Sequence, residues 1–183
     1  NTDNSGKFIY VRDNKSQEFW SCGWKPVCKK PLFYEVRQGI GYTNITNNTQ
    51  DIITSLIVFV PNEEPVEIWQ LRIKNTTAEP RSLGIFSYLE WETRRNISEP
   101  VCKEKGFENV TFNRDLSALI AEINGEFSFH SVSKEIKTFT ADRSAFLGSY
   151  RDASKPRAVE KGMCFGEKGR YVDPAAALQM DVE

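Results

Sequence analysis

Alternating apolar and polar side chains over Val66–Asn75 limit the folds open to this chain more than any other feature of it. From Trp69 onward, apolar side chains occupy every second position, at Trp69, Leu71 and Ile73. Because successive side chains point to opposite faces of an extended chain, this period of two indicates an antiparallel strand with one buried and one solvated face. Arg81–Glu92 repeats the pattern, so we expect a second half-solvated strand there.

Other short runs rich in β-branched and aromatic residues are separated by turn residues and predict further strands. These runs are Phe8–Val11, Glu18–Cys22, Phe33–Arg37, Tyr42–Thr46, Asp51–Val60, Leu116–Ile123 and Glu126–Val132. Asn124-Gly125 predicts a type I′ turn between the last two, because both central residues of that turn need positive φ. Asp142–Leu147 predicts a short helical turn before a tail punctuated by Gly and Pro. A sheet of this size needs a second layer, so we infer an all-β antiparallel β-sandwich.

Composition argues against several classes of partner. The chain has 24 Lys and Arg against 25 Asp and Glu, a net charge of −1, which gives no electrostatic reason to expect nucleic acid or an anionic membrane surface. No run approaches the ~18 apolar residues of a membrane span. The four cysteines include no Cys-x-x-Cys pair and His130 is the only histidine, so we expect no metal site and a reducing, cytoplasmic location.

The sequence contains no complete active site. Glu63 and Glu64 lie in a proline-bounded turn typical of solvated charges, and His130 has no evident Ser or Cys partner, which favours a hydrogen-bonded structural role. A surplus of aromatic and arginine residues near turns permits a carbohydrate-facing surface, although for each tryptophan alone the favoured role is core packing. In Tyr34–Asn48, the glycines fit a tight connection and the Thr and Asn residues a solvated strand edge, so we expect this stretch to shape the sandwich.

Four strings, taken together and in order, resemble a known family over nearly the whole chain. They are Gly6–Val27, Tyr34–Ile45, Val58–Trp91 and Thr140–Gly162. They resemble the N-terminal domain of the cellobiose phosphorylase family, the inverting glycoside phosphorylases once grouped as glycosyltransferase family 36. The resemblance implies a galactose-mutarotase-like super-sandwich, followed in the family by a helical linker and an (α/α)6-barrel that carries the general-acid aspartate and the phosphate site.

Nothing after Tyr171 resembles that barrel. Residues 1–183 are therefore expected to be an incomplete N-terminal domain, inactive by itself. The parent protein is expected to phosphorolyse β-glucosides of the cellobiose, cellodextrin or laminaribiose type reversibly, with inversion to α-glucose 1-phosphate. Inorganic phosphate would be the co-substrate, and no cofactor is expected.

The resemblance also implies a partner and a site. Family members are typically homodimers in which this domain helps to build the interface and the acceptor side of the active site. Asn109–Ile123 resembles the segment that carries a Gln-Arg pair near the acceptor sugar, and the corresponding residues here are Asn113 and Arg114. Two alternatives stay open: a non-catalytic carbohydrate-binding or assembly module, and part of a cyclic β-glucan synthase.

Overall fold

A computed structural model describes residues 6–91, 109–123, 125–166 and 174–183. Over these residues the chain is almost entirely β-structure, with two helices of five residues each. In chain order the elements are β1 (Lys7–Asp13), β2 (Phe19–Ser21), β3 (Phe33–Gly39), β4 (Tyr42–Thr49), β5 (Ile52–Phe59), β6 (Ile68–Asn75), β7 (Leu83–Glu90), β8 (Asn109–Asn113), β9 (Ala118–Ile123), β10 (Glu126–Ser131), β11 (Thr138–Asp142), α1 (Arg143–Leu147), α2 (Arg157–Lys161) and β12 (Pro174–Val182).

The strands form three antiparallel sheets. The central sheet has the order β11-β12-β7-β1-β2, and two smaller sheets have the orders β3-β4-β5-β6 and β10-β9-β8. The β9–β10 pair confirms the hairpin predicted from the sequence, and the β3–β4 pair confirms the tight connection expected within Tyr34–Asn48. Gly125 at the β9–β10 turn has a φ of 77°, as the predicted turn requires, while Asn124 lies outside the described residues.

Both smaller sheets cover the same face of the central sheet. Val11 and Ile85 of the central sheet pack with Leu56 of the four-stranded sheet. Further along that face, Leu178 packs with Leu119 of the three-stranded sheet. Burial of these apolar side chains holds the layers together, and the arrangement confirms the antiparallel β-sandwich.

The opposite face of the central sheet is covered by the two helices. Tyr88 stacks on Phe146 of α1 with ring centroids 4.4 Å apart, and Tyr10 and Val159 belong to the same buried cluster. The expectation of a half-solvated strand at 81–92 is therefore wrong, because β7 is buried on both faces from Leu83 to Tyr88. Among the described residues, neither helix has the length and apolar character to cross a membrane.

The final strand corrects a second expectation. The tail beyond the predicted helical turn contains β12, which pairs with both β7 and β11 in the central sheet. Its side chains are buried from Pro174 to Met180. Three consecutive alanines remove the β-branched and alternating signal by which strands are recognised in a sequence. The predicted helical turn itself is confirmed as α1, whose cap residue Asp142 accepts a 2.7 Å hydrogen bond from the backbone N of Ala145.

Strand β4 corrects a third expectation. It lies between β3 and β5, and Asn47 and Thr49 are buried rather than placed on a solvated edge. The Asn47 amide donates hydrogen bonds to the carbonyl oxygens of Ser21 (3.2 Å) and Cys22 (3.3 Å). Its own oxygen accepts one from the hydroxyl of Thr49 at 2.7 Å. Asn47 thus fastens the four-stranded sheet to the edge of the central sheet.

Candidate functional site

The β8–β9 turn carries both residues predicted to form a site. Asn113 ends β8 and pairs with Ala118, the first residue of β9. Its side-chain oxygen accepts a 3.0 Å hydrogen bond from the backbone N of Leu116, while the N–H of Ser117 donates to the carbonyl of Arg114 at 3.2 Å. Short polar side chains favour such turns because they replace backbone hydrogen bonds that the turn lacks.

The neighbouring strand reinforces the turn. The hydroxyl of Ser131, the last residue of β10, approaches the carbonyl oxygens of Leu116 (3.3 Å) and Ser117 (3.0 Å). Ser117 has a φ of 47°, in the left-handed region that non-glycine residues enter rarely. Hydrogen bonds from both sides stabilise that conformation, so the turn presents its side chains from a fixed backbone.

The two predicted site residues therefore have different environments at one turn. The Asn113 carbonyl group is occupied within the turn, whereas the Arg114 side chain is exposed and has no partner among the residues that the structure describes. A guanidinium in this position offers planar N–H donors to hydroxyl or carboxylate oxygens of a ligand.

An apolar surface that the sequence reasoning missed lies on the same sheet. Phe127 and Phe129 of β10 are 70% and 59% exposed, and Leu116 at the turn is 63% exposed. Phe129 pairs directly with Ile120 of β9, so the surface spans both strands. His130 points inward, so Phe127 and Phe129, which alternate with it along β10, point outward. This alternation was the only sign of the surface in the sequence. Exposed aromatic residues clustered in this way are typical of contact surfaces.

His130 lies on the inner face of that sheet and is structural. Its Nε2 is 2.8 Å from the hydroxyl of Ser87 on β7, which joins the three-stranded sheet to the central one. Burial, with a smaller contribution from the charge of Lys7, lowers the pKa of His130 to about 4. The ring is therefore neutral near pH 7 and makes the predicted hydrogen bond. Its partner is a serine on a strand distant in sequence, which the sequence did not reveal.

The thiols give no evidence of a reactive centre. Burial raises the pKa of Cys22 and of Cys164 to about 12, which keeps both protonated near neutral pH. Both are free thiols, as is the exposed Cys28, while Cys102 lies outside the described residues. Within the described ranges, no group of three His, Cys, Asp or Glu side chains is arranged to hold a metal ion.

Comparison with known proteins identifies the family. The family model described as glycosyl hydrolase 94, supersandwich domain, matches residues 1–183. The chain belongs to this family. The supersandwich assignment agrees with the layered antiparallel sheets, and it confirms the family resemblance carried by the four strings.

Curated relatives of this supersandwich domain include two phosphorylases. N,N'-diacetylchitobiose phosphorylase of Vibrio furnissii is 30% identical over 171 residues, which cover 88% of this chain and 21% of the relative. Solabiose phosphorylase of Paenibacillus borealis is 26% identical over 182 residues, covering 94% and 23%. Cyclic beta-(1,2)-glucan synthase NdvB of Rhizobium meliloti is 25% identical over 184 residues, covering 97% and 6%. The chain thus spans about a fifth of the length of these phosphorylases.

Proposed function

We propose that this supersandwich domain is the N-terminal part of an inverting glycoside phosphorylase that acts reversibly on β-glucosides of the cellobiose, cellodextrin or laminaribiose type. The proposal is supported by the family and by relatives that are named phosphorylases. In such a reaction a phosphate oxygen bonds to the anomeric carbon as the glycosidic C–O bond breaks, and an acid donates a proton to the leaving oxygen. The products are α-glucose 1-phosphate and the free acceptor sugar.

In this proposal the acid and the phosphate site belong to the parent protein beyond these 183 residues. The domain contributes to the acceptor side of the site instead. The observation that carries this role is the exposed Arg114 side chain on a turn whose backbone is held by Asn113 and Ser131. Arg114 would donate hydrogen bonds to acceptor hydroxyls, and Asn113 would keep the turn in place.

The exposed aromatic surface supports a role in assembly. Phe127 and Phe129 lie on the sheet that ends in the Arg114 turn. We assign this surface to a homodimer contact, because burying two large aromatic side chains on each partner would supply a substantial apolar interface core. A second subunit docked there would place the Arg114 turn near a subunit boundary.

The acceptor role is tested in the full-length parent by synthesis from α-glucose 1-phosphate and a cellobiose-type acceptor. Replacing Arg114→Ala should raise the KM for the acceptor about tenfold or more, because hydrogen bonds from a charged donor contribute about 1.5–3 kcal/mol. The KM for α-glucose 1-phosphate should change less than twofold. Arg151→Ala, at an exposed arginine between α1 and α2, is the control and should leave both constants unchanged.

Each other outcome counts against a specific part of the proposal. Equal loss for donor and acceptor, or no loss, would refute the acceptor role while leaving the phosphorylase assignment intact. A parent that releases no phosphate from α-glucose 1-phosphate with any β-glucoside acceptor would refute the phosphorylase assignment. Such a parent would favour a cyclic glucan synthase or a non-catalytic carbohydrate-binding or assembly module.

A further inference from the structure

The outer face of the four-stranded sheet has an unusual surface for a solvated sheet. Trp69, Leu71 and Ile73 of β6 face the core, so the alternate positions of each strand in this sheet point outward. At one end of the outward face, a continuous row runs across all four strands through directly paired residues. In order, the row is Gly39, Tyr42, Phe59 and Ile68.

Tyr42 is held as a platform in this row. A Cβ atom on Gly39 would lie 2.5 Å from Cζ of Tyr42, so the tyrosine ring lies over the backbone of Gly39 and a larger residue there would displace the ring. The ring is nevertheless 49% exposed. One side of the ring is thus packed on the neighbouring strand, and Phe59 is the residue directly paired with Tyr42 on the other side.

The next row supplies hydrogen-bonding groups beside that platform. Arg37 pairs with Asn44, Asn44 with Ile57, and Ile57 with Gln70, two residues along each strand from the aromatic row. Two residues of a strand span about 7 Å. The guanidinium of Arg37 and the amides of Asn44 and Gln70 therefore lie beside the aromatic row. The spacing between the two rows is comparable to the size of one sugar residue with its hydroxyls.

Two of the three charged side chains described on this part of the face form an ion pair. Arg37 forms an ion pair with Glu35 at 2.8 Å, and the oxygen of Asn44 accepts a 3.1 Å hydrogen bond from the hydroxyl of Ser55. These contacts orient the side chains and leave the Asn44 amide N–H groups available to a ligand. The exposed Arg72, which pairs with Ser55, adds a further guanidinium to the same face, and its N–H groups can donate to hydroxyl oxygens of a ligand.

We propose that this face binds an extended, β-1,4-linked gluco-oligosaccharide. Pyranose rings with equatorial hydroxyls expose apolar C–H groups on their faces and hydroxyls at their edges, which match an aromatic platform bordered by amides and a guanidinium. A flat β-linked chain also fits a flat surface that is about 14 Å wide across four strands.

This surface is separate from the Arg114 turn, which belongs to the three-stranded sheet. The inference does not depend on the phosphorylase assignment. A sugar bound to this face would not occupy the acceptor position. The effect of a Tyr42 variant on binding and the effect of an Arg114 variant on acceptor use can therefore be measured independently.

The test is affinity electrophoresis of the full-length protein in gels that contain soluble hydroxyethyl cellulose, without phosphate. The wild type should be retarded, and Tyr42→Ala should weaken binding about tenfold, consistent with the loss of about 1.4 kcal/mol of stacking. Tyr42→Phe keeps the ring and should bind like the wild type. Arg114→Ala should also be retarded normally, and gels that contain α-linked amylose should retard none of these proteins.

Gln70→Ala provides a second variant at an exposed side chain, for the case in which Tyr42→Ala does not fold by circular dichroism. It should weaken binding severalfold because it removes one hydrogen-bonding amide. Normal retardation of both Tyr42→Ala and Gln70→Ala would overturn the proposal. So would loss of retardation in Arg114→Ala alone, which would locate the binding at the acceptor position, or equal retardation by amylose.

Discussion

Asn47→Ala should destabilise the domain far more than its place on an Asn- and Thr-rich strand implies. The substitution deletes three hydrogen bonds, two to the carbonyls of Ser21 and Cys22 and one from Thr49. Asn47 is only 3% exposed, so water does not replace these bonds easily. At about 1 kcal/mol for each net hydrogen bond, we expect the free energy of unfolding to fall by about 3 kcal/mol.

Urea denaturation followed by the fluorescence of the buried Trp20 would measure the change. The matched control is Asn44→Ala on the outer face of the same strand, where one hydrogen bond from Ser55 at 3.1 Å is lost. That substitution should cost less than about 1 kcal/mol. A similar loss for both variants, or a loss under about 1 kcal/mol for Asn47→Ala, would refute the idea that Asn47 fastens the two sheets.

A third variant tests the charge environment of the same position. Asn47→Asp would direct a carboxylate at two carbonyl oxygens in a buried site, which raises the folded-state pKa of the new group above its unfolded value near ~4. Stability is then highest below that unfolded value and is lost as the pH rises through the folded one. The unfolding free energy of Asn47→Asp should therefore fall relative to Asn47→Ala as the pH increases from 4 to 7, measured in the same urea assay. A difference that is constant with pH would contradict this reasoning.

Two further predictions concern other positions. Burial lowers the pKa of His130 to about 4 in the folded protein, against about 6.5 in the unfolded chain, so the domain loses stability as the pH falls from 6.5 towards 4. In His130→Gln, the unfolding temperature should depend less on pH over that window. An unchanged pH dependence would contradict this prediction. Asp142→Ala removes the cap of α1 and should cost about 1 kcal/mol in urea unfolding, with no change in the slope against urea.

The half-exposed strands could be read from the sequence because burial and exposure alternate along them. β6 follows that rule, with Trp69 half-buried and Gln70 exposed. β7 looked similar in sequence but is covered on both faces, because the α1 and α2 segment packs on its second side. That segment is distant in sequence, and no local pattern reports which faces it covers. β12 was missed for a different reason, since alanines carry little strand signal.

The candidate site was only partly accessible to sequence reasoning. Family resemblance placed Asn113 and Arg114 together, and the structure adds that Asn113 holds the turn while Arg114 is exposed. The Thr and Asn residues of Tyr34–Asn48 were read as one solvated edge, although Asn47 points inward and Asn44 outward. Alternation alone cannot assign faces when both faces of a strand carry polar residues.

The position of β12 has a consequence for how the domain is made. β12 is far from β7 in the sequence, yet it lies between β7 and β11 in the central sheet. Until residues 174–182 leave the ribosome, β7 has one unpaired edge, and the Ala176 and Leu178 surface that packs against the three-stranded sheet is absent. A nascent chain interrupted before Pro174 would expose a long apolar strand edge of the kind that pairs with other chains. Vectorial synthesis thus leaves one edge of β7 open until β12 emerges, which makes truncation before β12 a route to aggregation.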